Sequence, residues 1–97
     1  MDFGAYGKYI ADETLALLAI DSPSGMTAKA AEHVMARFEA LGYAPQRTRK
    51  DGVLVCRGGK NMDDAILLEA HMDTLGGMVA QIKGNGRLKI TNIGGLQ

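Results

Sequence analysis

Ninety-seven residues bound the chain to one small domain at most. Hydrophobic residues make up 46% and charged residues 23%, as in ordinary soluble globular proteins. Eleven basic residues balance eleven acidic ones, so no global field draws the chain to nucleic acid or to an anionic membrane, and neither is expected as a partner.

The N-terminal stretch MDFGAYGKYIADE lacks the basic and apolar regions of a secretory signal. The nearby apolar run LALLAI is too short to span a bilayer. The single cysteine, Cys56, has no internal disulfide partner and reads as a small buried hydrophobe within VLVC. A reducing, cytoplasmic setting is the expectation.

Residues 5 to 20 read as a helix: Tyr6, Ile10, Leu17 and Leu18 recur near the helical period, and Lys8, Asp12 and Glu13 keep another side wet. DSPSG breaks it, because Pro23 disfavours helix at Ser22. Thr27 is placed to cap a second helix whose buried stripe is Ala31, Val34, Phe38 and Leu41, and Gly42 stands at the expected left-handed C-terminus. His33 shares a row with Lys29 and Arg37 and reads as an exposed, structural residue on a solvated face.

From Tyr43 the period changes to two. APQRTRK and VLVCR flank Asp51-Gly52, a hairpin signal, with the basic run RTRK guarding a strand edge. KNMDD is a polar loop, so Asp63 and Asp64 read as turn residues. AILLEAH, residues 65 to 71, is apolar at consecutive positions and predicts a sheet strand covered on both faces. MVAQI and RLKI then alternate around KGNG, a second hairpin over 78 to 91. The resulting class is α/β: two N-terminal helices packing on the start of a mixed sheet, then a β-hairpin that begins a separate β element. The boundary is expected near Gly76-Gly77, giving units of 1–76 and 77–97.

The chemistry concentrates at the end of the apolar run, in LLEAHMDTLGG. In an extended strand, positions two apart point the same way, so His71 and Asp73 project side by side from a strand's C-terminal end, where open α/β sheets place ligands. A neutral imidazole binds a divalent metal through one nitrogen, and its other N–H requires an acceptor that fixes the tautomer. A carboxylate two residues along supplies one. The same spacing also fits a packed or solvated histidine. Glu69, on the same face, is the best local extra carboxylate but reads first as a surface or ion-paired group. RGGKN lacks the spacing and the following Ser/Thr of a phosphate-binding loop.

Three motifs in order, SPSG between two helices, AHMDTLGGMV and NGRLKITNIGG, resemble the N-terminal part of the M42 family of glutamyl-aminopeptidase-like metallo-aminopeptidases. The resemblance implies a hydrolase that removes N-terminal residues from peptides, with two divalent metals, zinc or cobalt, between an α/β catalytic domain and an inserted β domain. It implies His71 as a ligand of one metal and Asp73 as the residue that orients it. An unpaired sheet edge and an uncovered apolar face on so short a chain predict a homo-oligomer. The remaining ligands and the glutamate base of the family fall beyond Gln97, so the 97 residues are incomplete relative to the family and are expected to be inactive alone. The alternatives are a non-catalytic truncated product that self-associates, or one half of a split enzyme.

Overall fold

A computed structural model describes residues 2–95. Helix α1 spans Phe3–Leu18. It starts two residues ahead of the expected position because Asp2 caps it, its carboxylate accepting from the Gly4 and Ala5 amides at 3.0 and 3.2 Å. Helix α2 spans Ala28–Ala40. Thr27 stands at its N-terminus, but its side chain makes no capping bond. The C-terminus is a Schellman turn: Tyr43 N–H donates to Phe38 C=O at 3.1 Å and Gly42 N–H to Glu39 C=O at 2.9 Å. Gly42 carries the left-handed φ of 90° that the turn demands. Phe38 and Tyr43 supply the accompanying apolar contact, edge to face with ring centroids 6.3 Å apart.

Strands β1 (Gln46–Arg47) and β2 (Val53–Leu54) pair antiparallel, and so do β3 (Gly76–Ile82) and β4 (Leu88–Ile93). Both hairpins expected from the sequence are therefore present, and their loops share one construction. Thr48 N–H donates to Gly52 C=O and Asp51 N–H to Thr48 C=O; Lys83 N–H donates to Arg87 C=O and Gly86 N–H to Lys83 C=O. The left-handed residue is Asp51 in the first loop and Gly86 in the second, with φ of 59° and 82°. The first turn thus centres on Arg49-Lys50 rather than on Asp51-Gly52. Of the basic run RTRK, only Arg47 lies within a strand; Arg49 and Lys50 form the tip. In the second sheet the register slips between Val79 and Gln81, where one extra residue makes a bulge.

Helix α2 meets α1 through charge as well as apolar surface. His33 was expected on a solvated face, yet its Nε2 lies 3.2 Å from Glu13 of α1. Glu13 also holds Arg37, whose Nε is 2.6 Å from its other oxygen, an ion pair in which the N–H is not aimed at the carboxylate. His33 and Arg37 of that row turn toward α1, where the Glu13 carboxylate meets both. On its other side α2 lies against the first hairpin, with Arg47 reaching Glu32 at 3.8 Å.

Two helices and two small antiparallel sheets make an α/β chain. The parallel component is one isolated bridge between Pro23 and Thr74. Residues 65 to 71, expected to be a covered strand, form no strand: a single 3-10 turn at Met62–Asp64 precedes them, and Ile66, Leu67 and Leu68 are 90%, 74% and 87% exposed. A strand apolar on both faces needs neighbours along its edges and layers above and below it. Among the described residues nothing supplies them. The same reason exposes Tyr6, Ile10 and Leu18, three of the four expected core positions of α1. Leu41, from the α2 stripe, is exposed as well, and so is Cys56. Among the described residues, the fully buried positions are Ser22, Ala30 and Ala31. The radius of gyration, 17.8 Å, exceeds the roughly 13 Å of a compact chain of about 100 residues.

Gly76 opens β3 directly against Pro23: a Cβ there would sit 2.9 Å from the proline Cβ. Gly76→Val is expected to destabilise the chain by about 1–3 kcal/mol, the usual cost of overpacking, read as a lower denaturant midpoint. An unchanged midpoint would show that the Pro23–Gly76 contact does not constrain the fold.

Candidate metal centre

The SPSG loop and the HMDT segment, some fifty residues apart in sequence, are tied together by three polar links. Thr74 N–H donates to the Ser22 carbonyl at 2.7 Å. The Ser22 and Thr74 hydroxyls lie 3.4 Å apart, with Ser22 buried. Ser24 Oγ–H donates to Asp73 Oδ2 at 2.6 Å. The loop presents these groups because Met26 N–H closes a turn onto the Pro23 carbonyl at 2.8 Å and Gly25 adopts a φ of 88°.

Asp73 in turn faces its neighbour. His71 Nδ1 lies 3.1 Å from Asp73 Oδ1 and 3.0 Å from the Asp73 carbonyl. Both are acceptors for a neutral ring, so Nδ1 carries the proton and donates. Nε2 is then left with its lone pair, and the His71 side chain is 86% exposed. The ring and the Asp73 carboxylate border an open cleft that also meets Ser24 on one side and the Arg49-Lys50 turn on the other. The structure therefore brings together His71 and Asp73, the two residues singled out by spacing, even though the strand expected to carry them is absent.

The bond from Ser24, and after it the interaction with His71, holds the Asp73 carboxyl below its ordinary value; partial burial acts in the opposite direction. A carboxyl whose folded pKa is depressed contributes stability that is complete above its unfolded pKa and disappears as pH falls through the folded value. Acid denaturation should therefore steepen as Asp73 protonates, below the ordinary 3.8, and Asp73→Asn should remove that part of the pH dependence. Superimposable acid limbs for the two proteins would contradict it.

The other candidates lie apart. Glu69 is exposed in the segment before His71. Asp63 and Asp64 sit in the 3-10 turn, where Asn61 accepts from the Asp63 amide at 3.0 Å, as expected of a polar turn. His33 lies between the helices, its Nε2 against Glu13. No group of three His, Cys, Asp or Glu side chains among the described residues could hold a metal ion. The donor set thus fits one position of a metal site, through His71 Nε2, and not a whole site, which takes about three protein ligands or more. Sequence reasoning missed Ser24: the serine of SPSG was visible as a loop residue, but nothing local pointed to a carboxylate forty-nine positions away.

Similarity to known proteins places the chain among aminopeptidase sequences. It is 36% identical over 81 residues to a Bacillus subtilis (strain 168) protein named "Putative aminopeptidase YhfE", covering 84% of this chain and 23% of that protein. It is 34% identical over 86 residues to the glutamyl aminopeptidase of Lactococcus lactis subsp. cremoris (strain MG1363), covering 87% of this chain and 24% of that one. Residues 51–97 match the profile of the M42 glutamyl aminopeptidase family. The similarity to that family model runs over about half of the chain, and the chain spans about a quarter of the length of these relatives. No helix among the described residues is long and apolar enough to cross a membrane.

Proposed function

We propose that these residues form the N-terminal, metal-ligating segment of a metal-dependent aminopeptidase that hydrolyses N-terminal residues from peptides in the cytoplasm. The observation that carries the reading is the His71–Asp73 pair: Nδ1 engaged at 3.1 Å, and Nε2 turned free in an exposed ring at a cleft. That is the arrangement of a ligand histidine held by a carboxylate. His71 Nε2 would hold one of two divalent ions, zinc or cobalt, and Asp73 would fix the ring's tautomer and direction. When bound, the ions supply Lewis acidity and lower the pKa of a coordinated water. The ligand set requires residues beyond His71, so a polypeptide of these 97 residues alone is inactive in this reading. Residues 1–76 belong to an α/β catalytic domain, 77–97 begin an inserted β domain, and the assembled enzyme is a homo-oligomer.

The test is hydrolysis of aminoacyl-anilides by a family-length polypeptide containing this segment, with zinc or cobalt and with a chelator. Metal-restored cleavage of the N-terminal residue is expected; cleavage indifferent to thorough chelation would overturn the reading. A second reading, a non-catalytic polypeptide that self-associates, is favoured by the exposed Ile66-Leu67-Leu68 run.

A further inference from the structure

We propose that Ser24 is a positioning residue for His71, acting through Asp73; the inference rests on the reading of His71 as a metal ligand. A carboxylate two residues from the histidine it serves is, by itself, free to turn about its own side-chain bonds. Either oxygen, or neither, would then face Nδ1. Ser24 removes that freedom. Its hydroxyl occupies Asp73 Oδ2 at 2.6 Å while Oδ1 remains 3.1 Å from His71 Nδ1. The two oxygens are therefore assigned, one to the loop and one to the ring.

Ser24 can do this because the loop around it is anchored independently. Thr74 N–H is bonded to the Ser22 carbonyl, and Pro23 bridges to Thr74. These backbone links fix how far Ser24 lies from Asp73 before the hydroxyl bonds at all. The same order of groups gives the serine a distinct task from its neighbour: Ser22 is buried and joins the two segments, whereas Ser24 is exposed at the cleft and aims at a carboxylate. The consequence at the ring is a second, charged acceptor for Nδ1–H beside the Asp73 carbonyl at 3.0 Å, which strengthens the tautomer that turns the Nε2 lone pair outward to a cation.

The test uses a family-length polypeptide containing this segment and compares wild type, Ser24→Ala and Ser24→Thr. Long-range nitrogen–proton NMR of His71, recorded at about pH 8 where an unperturbed imidazole is neutral, reports the tautomer directly. Wild type should show the Nδ1–H form in excess. Ser24→Ala should draw the two ring-nitrogen shifts toward each other as the tautomers mix, and Ser24→Thr, which keeps the hydroxyl, should restore them.

Zinc alone is the second probe. The concentration that moves the Nε2 resonance halfway should rise about 3- to 10-fold in Ser24→Ala, less than the roughly 10- to 100-fold that loss of an orienting carboxylate itself causes. The Thr74 amide, bonded to Ser22, serves as the control and should keep its protection in all three proteins. An unchanged tautomer in Ser24→Ala would overturn the proposal. Loss of Thr74 protection together with the tautomer change would also overturn it, because Ser24 would then act by holding the loop. Since the tautomer is read without metal or substrate, a zinc titration that fails in every protein would reject the aminopeptidase reading and leave the Ser24 result standing.

Discussion

Replacing His71 with alanine in a family-length enzyme is expected to abolish metal uptake at one of the two positions and to remove activity with it. The imidazole offers Nε2 alone, since Nδ1 is engaged by Asp73, and no other described histidine stands nearby to replace it: His33 lies against Glu13 between the helices. Asp73→Asn should be milder, weakening metal binding roughly 10- to 100-fold, the usual consequence of losing an orienting carboxylate. The amide keeps an acceptor oxygen but loses the charge, and the Asp73 backbone carbonyl still accepts from Nδ1 at 3.0 Å. Calorimetric metal titration separates the two variants. Wild-type affinity in His71→Ala would end the ligand assignment, and an equal loss in both would mean that Asp73 binds metal itself.

The contact between His71 and Asp73 was legible in the sequence because His-x-Asp is local: two residues so spaced need no distant partner to meet. The hairpins were legible for the same reason, Asp51 and Gly86 supplying the left-handed residue that closes each loop, although the first turn centres on Arg49-Lys50 rather than on Asp51-Gly52. Residues 65 to 71 were read wrongly as a strand because consecutive apolar residues report a demand for cover, and the described chain does not meet that demand. His33 illustrates the converse. Its helical row is polar, but whether a polar row faces water or an opposite charge depends on Glu13, a residue of another helix. Ser24 was invisible for the same physical reason: its partner is set by how a loop docks, and docking is not periodic.

A polypeptide of these 97 residues is expected to show no aminopeptidase activity and to self-associate. Catalysis with paired metals requires ligands for both ions and a base, and the described residues contain no cluster of even three potential ligands. One exposed imidazole does not hold zinc in a structural or catalytic geometry. Association follows from what is left uncovered. Ile66, Leu67 and Leu68 are almost fully exposed, and Met78, Ile82 and Ile90 of the second hairpin are 58%, 73% and 57% exposed. Burying one such side chain stabilises by roughly 1.5–3 kcal/mol, so a second copy that covers several of them gains enough to offset the cost of association, on the order of 4–15 kcal/mol. The two-stranded sheets also leave open edges, and an unpaired edge beside apolar surface recruits further chains. Light scattering coupled to size-exclusion chromatography should therefore show species larger than the 10.3 kDa monomer, and Leu67→Lys combined with Leu68→Glu should shift them toward it. An aminoacyl-anilide assay with added zinc or cobalt completes the test. Turnover by a stable monomer would contradict both expectations at once, because it would require a complete site and a covered core that the described residues do not contain.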